Sequence, residues 1–96
     1  VDVDWSHRGE YMRAKHGITV AWANEALADP DALVEVPDPA SKSGVSDRTT
    51  GWSTGAGDLV VVITTTEEDG TTYGLNGWLA NSTARRKYDN QKGSTA

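Results

Sequence analysis

The chain has 96 residues, no cysteine and a formal net charge of −5, which fits one small domain spanning 1–96. The lack of cysteine excludes a disulfide framework and a thiolate zinc site, and it suits a reducing cytoplasm. No apolar run exceeds strand length, the longest being Leu59–Ile63, so no membrane segment is expected.

The first stretch, VDVDW, alternates Val1, Val3 and Trp5 with acids and reads as a half-buried strand. Ser6 is placed to cap a helix over 7–16, and Gly17 is a natural left-handed stop. A second helix follows in ITVAWANEALADP, capped by Thr19 and ended by Asp29-Pro30. Its inner face is expected to carry Val20, Ala23, Ala26 and Leu27. LVEV reads as a short edge strand, bounded by Pro37 and Pro39.

Three strands come next, in RTTGWS, DLVVVITTT and TTYGLNGW. The middle one is β-branched through its centre, and glycine-bearing turns at STGAGD and EEDGT make the three an antiparallel meander. Asn81 or Ser82 can cap a last helix over about 82–91. The expected fold class is therefore α+β: an N-terminal strand and two helices, an antiparallel sheet, and a C-terminal helix.

Charge is unevenly spread. Residues 79–96 carry Arg85, Arg86, Lys87 and Lys92 against Asp89, a net +3, which leaves residues 1–78 at −8. A negative body repels a polyanion at long range, so nucleic acid would have to be met by local basic patches. The same body would suit a basic protein partner.

Two patches carry chemistry. At the end of the first helix, Lys15 and His16 stand beside exposed carbonyls, where a cationic imidazole is favoured and could bind phosphate or donate a proton. The same residues are also what a helix uses to terminate. In the last helix, Arg85 and Tyr88 share a face, and a guanidinium with a phenol can grip a phosphate and stack a base. That helix also reads as a solvated element packing on the sheet through Ala84 and Tyr88, with Arg85 pairing Asp89 at i, i+4. The two histidines, His7 and His16, are nine apart and face opposite sides of a helix that turns about 100° per residue, so no metal pair is expected.

Taken in order, these pieces resemble the BrnT family of bacterial type II toxins, ribonucleases with a RelE-like fold. The family's Arg-Lys-His-Gly helix end is matched by RAKHGIT, with Ala14 interposed, and its Asp-Pro-rich helix exit by ALADPDAL. Its middle strand follows an Arg, here Arg48, and its Val-rich strand is matched by LVVVITT. LNGWLANSTARRKYD aligns without a gap to the family's closing Ile-Ser-Ala-Arg and Thr-capped, Arg-rich helix. The chain departs where the family's closing Arg is replaced by Trp78.

The resemblance implies metal-independent mRNA cleavage without a cofactor. It also implies restraint by a cognate small DNA-binding antitoxin in a toxin–antitoxin hetero-oligomer. It assigns the proton shuttle to His16, charge stabilisation to Lys15 and Arg85, and orientation or proton sharing to Tyr88. Arg86, Trp78 and Arg48 would hold the RNA substrate. The alternative is a non-catalytic family member that keeps the fold and serves as an antitoxin-binding, operon-regulating module.

Overall fold

A computed structural model describes residues 2–93. Eight elements follow in chain order: β1 (Val3–Asp4), α1 (Gly9–His16), α2 (Val20–Ala28), β2 (Leu33–Glu35), β3 (Ser46–Ser53), β4 (Asp58–Thr66), β5 (Thr72–Leu79) and α3 (Ser82–Gly93). The five strands form one sheet in the order β1-β5-β4-β3-β2. The class is α+β, and the meander of β3, β4 and β5 is antiparallel as expected.

The sheet as a whole is mixed, because β1 adds to the outer edge of β5 in parallel. An alternating pattern specifies a strand and its buried side but not its partner, so this direction was not readable from VDVDW. Val1, counted in that pattern, lies outside the described residues. β2 is the short edge strand expected from LVEV, paired antiparallel with β3.

Helices cover both faces of the sheet. On one face α1 and α2 bury Trp5, Met12, Ile18, Ala23 and Ala26 against Val60 and Val62. Each fully buried aliphatic side chain of this kind contributes about 1.5–3 kcal/mol. Approach is close: a Cβ at Gly51 would run into the Ala26 carbonyl, so α2 can lie on β3 only because position 51 has no side chain. On the other face α3 lays Ala84 and Tyr88 over Leu59, Val61 and Ile63.

Local signals govern most helix ends. Thr19 accepts a hydrogen bond from the Trp22 amide, as an N-cap does. Gly17 sits at φ 72° and its amide closes α1 on the Arg13 carbonyl. Asn81, not Ser82, caps α3, accepting from the Ala84 amide at 2.9 Å. The start of α1 differs from expectation. Ser6 turns its hydroxyl and amide back to Asp4 Oδ1, and the helix begins at Gly9 without a side-chain cap. The nearby carboxylate competes for the hydroxyl that would have capped the helix.

One irregularity decides where the last strand points. The register between β4 and β5 shifts between Ile63 and Thr64, so Ile63 pairs Asn76 while Thr64 pairs Gly74, leaving Leu75 as an extra residue. Strict alternation from Tyr73 would send Trp78 to the α1 face. The bulge resets the phase and brings Trp78 onto the α3 face, opposite Val61. Arg8 at the entry to α1 donates to the Leu75 carbonyl at 3.3 Å and so ties α1 to the bulge.

Candidate functional site

Three elements converge on Trp78. It is half-buried on β5, where the bulge has turned it toward α3. The His16 ring, in the last turn of α1, lies 5.8 Å from the Trp78 ring at an interplanar angle of 53°. Arg48 on β3 brings its guanidinium carbon to 5.7 Å from the centre of the same ring. The stop at Gly17 sets where His16 ends, and pairing of Arg48 with Ile63 places it on the face that carries Trp78. The result is an imidazole and a guanidinium against one indole.

Arg48 is held in place. Its Nε donates to Asp38 Oδ1 at 2.9 Å, and its side chain is 21% exposed while that of Asp38 is 7% exposed. Asp38 also accepts from the Ala40 amide at 3.0 Å. Its own amide donates to the Ser46 carbonyl, so the loop after β2 forms a fixed carboxylate at the mouth of β3. With Nε committed, the terminal nitrogens of Arg48 have no hydrogen-bond partner among the described residues. Beside them is a hollow of about 70 Å³ lined by Arg48, Glu35, Lys87, Asn81 and Thr83. Sequence reasoning did not single out Asp38. The pair spans ten residues across an irregular loop, a separation that no helical or strand period marks.

The other expected site residues are elsewhere. Lys15 is exposed, with Nζ 5.7 Å from the Tyr11 ring, a ring that Arg8 covers more closely at 4.0 Å. Arg85 pairs with Asp58 at 2.6 Å and not with Asp89. That partner holds the Asp58 carboxyl below its usual range, chiefly through the hydrogen bond. Arg86 is exposed and makes no hydrogen bond or ion pair among the described residues. Lys87 reaches Glu35 at 3.3 Å, and Lys92 lies 3.6 Å from Asp31. Arg85, Lys87 and Lys92 thus face acids of the body, and the basic cluster is in large part an internal fastening.

Tyr88 belongs to that fastening. It is buried, and its hydroxyl donates to Asp29 Oδ2 at 2.7 Å. Burial first, and then the bond to Asp29, raise its pKa above the ordinary phenol value, so it is protonated at neutral pH. For Asp29, burial alone would raise the pKa. Hydrogen bonds from Tyr88, the Trp52 amide and the Asp31 amide outweigh it and hold the carboxyl below its usual range. No hydrogen bond, ion pair or ring contact joins Arg85 or Tyr88 to His16, Trp78 or Arg48. His7 precedes α1, and its ring lies 5.5 Å from that of Tyr73 at an interplanar angle of 51°.

No protein-family model matches the chain, and no curated protein matches it. Among the described residues no helix is long and apolar enough to cross a membrane.

Proposed function

We propose that this chain is an endoribonuclease toxin of the BrnT kind, with a RelE-like fold and a cognate small DNA-binding antitoxin. The observation that supports it best is the convergence of His16, Trp78 and Arg48 from α1, β5 and β3. These are three positions at which the chain follows or departs from the family pattern. Together they supply what intramolecular RNA cleavage requires: an imidazole that can take and give a proton, a fixed cation and a surface for a base.

In the proposed reaction the ribose 2′-oxygen attacks the adjacent phosphorus. The 2′-proton departs, the bond from phosphorus to the 5′-oxygen breaks, and a proton is delivered to that leaving oxygen. The products are a 2′,3′-cyclic phosphate and a 5′-hydroxyl. His16 serves as the proton shuttle, and Arg48 stabilises the charge that grows on the non-bridging oxygens. Trp78 stacks a base, while Lys15 and the exposed Arg86 attract the strand. Tyr88 and Arg85 are given the task of seating α3, since both are committed to carboxylates of the body.

The non-catalytic reading keeps one observation in its favour. Trp78 brings no charge to the site, and Arg48 is already half-neutralised by Asp38. Cleavage of single-stranded RNA by the purified chain, followed with and without the product of the adjacent gene, decides between them. The expected outcome is cleavage that the partner suppresses. A Trp78→Arg variant is expected to cleave at least as fast, because it adds a second cation where charge develops. RNA left intact by both proteins at high concentration would leave the binding module as the better account.

A further inference from the structure

The acidic body contains a second feature that the Trp78 cluster does not use. Trp52, at the end of β3, is 46% exposed, the most exposed aromatic among the described residues. Tyr11, the next, is covered by Arg8 at 4.0 Å, and Trp78 and Tyr88 each have a cation within 6 Å. Trp52 has neither a cation nor a ring against it among the described residues. It separates two hollows. One, of about 530 Å³, runs toward Asp31, Tyr88 and Asp89, and the other, of about 320 Å³, toward Glu25 and Thr54.

The charge around this ridge is one-sided. Glu25, Asp29, Asp31, Asp58 and Asp89 stand against Arg85 and Lys92, leaving three negative charges beside an uncovered indole. Among the described residues Asp89 has no ion-pair partner, and Glu25 is bonded only to the Ser53 hydroxyl and the Gly55 amide. Phosphates are repelled by such a surface. A cationic side chain is attracted by both of its components, the carboxylates and the ring face. The ridge with a hollow on each side fits side chains flanking an indole from an extended strand.

We infer that the Trp52 ridge is a docking surface for an extended segment of a basic protein, which lays an arginine or lysine across the indole and apolar side chains into the hollows. This surface is distinct from the Trp78 cluster and stands whether or not the chain cleaves RNA.

The test is a fluorescence-anisotropy titration of the whole chain with a labelled peptide alternating arginine and leucine. A peptide with glutamate in place of arginine and a labelled single-stranded RNA serve as comparisons. The basic peptide is expected to bind, with affinity falling as salt rises. Trp52→Ala should weaken it roughly tenfold, and Asp31→Asn with Asp89→Asn by a similar factor. Glu67→Gln with Glu68→Gln removes the same number of charges from the β4–β5 turn, about 25 Å along β4 from the ridge, and should change affinity by no more than about twofold. Equal weakening by the two double variants would reduce the effect to net charge and overturn the proposal. So would unchanged binding in a folded Trp52→Ala, or Trp52-dependent binding of the RNA in place of the peptide.

Discussion

The two faces of the sheet are built on different physics. Under α1 and α2 the contacts are apolar and close, with Met12, Val60 and Val62 fully buried and α2 resting on backbone at Gly51. Under α3 Ala84 and Tyr88 reach the sheet as buried anchors, and the polar ties include Arg85–Asp58, Lys87–Glu35, Lys92–Asp31, the Tyr88 hydroxyl on Asp29 and the Gln91 amide on the Asp31 carbonyl. An apolar face contributes stability that is insensitive to salt and pH across the neutral range. A face tied by exposed ion pairs contributes less and leaves room for polar groups to do other work. Trp78, Arg48 and the end of α1 occupy the margin of that second face, and substitutions should separate the two.

The largest expected effect is on the proposed chemistry. His16 is half-exposed at a helix end and adds little to either core. His16→Ala should slow RNA cleavage roughly 10²–10⁴-fold while stability stays within about 0.5 kcal/mol, read by single-turnover cleavage and a denaturant titration. Full activity in a folded variant would remove His16 from the mechanism.

The apolar face gives the converse. Met12 is 0% exposed and sits among Trp5, Ile18 and Val62. Met12→Ala should cost about 2–5 kcal/mol of unfolding free energy, and below its melting temperature the variant should keep the wild-type kcat. A comparable loss of kcat in folded protein would show that α1 and the Trp78 cluster are coupled through packing.

Much of this contrast was legible before any coordinates, and the parts that were not share a cause. The β-branched run marked β4 over 58–66 to its bounds, and Thr19 and Gly17 acted as cap and stop. These are signals carried within a few residues of where they act. The expected Arg85–Asp89 pair was also local, and it lost to Asp58, which the β3–β4 hairpin presents to α3. Lys87 finds Glu35 at a separation of 52 residues, and Tyr88 finds Asp29 at 59. Such partners exist only once the sheet has brought them together, so nothing in ARRKY announced them. The Leu75 bulge is similar: one extra residue in TYGLNGW leaves the strand pattern intact and still decides that Trp78 meets Arg48.

The polar face has a pH signature. Asp29 has a lowered folded pKa, so its contribution is present above the unfolded value of about 3.9 and is lost as pH falls through the folded value. Tyr88 has a raised one, so its contribution is complete below about 10 and is lost as pH rises. Tyr88→Phe deletes the hydrogen bond to a charged partner and should cost about 1.5–3 kcal/mol at neutral pH. Melting curves across pH should then show the variant and wild type drawing together at both extremes. A constant difference at all pH values would mean that the hydroxyl matters through packing and not through Asp29.

The smallest expected effect is at Arg85, and it tests the division most directly. The resemblance assigned Arg85 to charge stabilisation, whereas its guanidinium is 2.6 Å from Asp58 and makes no hydrogen bond, ion pair or ring contact with the Trp78 cluster. The pair is 41% and 30% exposed, so solvent screens it and its worth is about 0–1 kcal/mol. If Arg85 only fastens α3, Arg85→Ala should lower stability by that amount, and the difference should vanish at high salt. Cleavage should remain within about twofold of wild type, since no charge near the reacting phosphate has been removed. Arg48→Lys is the matched control. It keeps the charge beside Asp38 but loses the planar group over Trp78, and it should reduce the rate more than Arg85→Ala does. The opposite order, with Arg85→Ala nearly inactive and Arg48→Lys unimpaired, would move the reacting phosphate to the α3 surface and make the basic cluster itself the site.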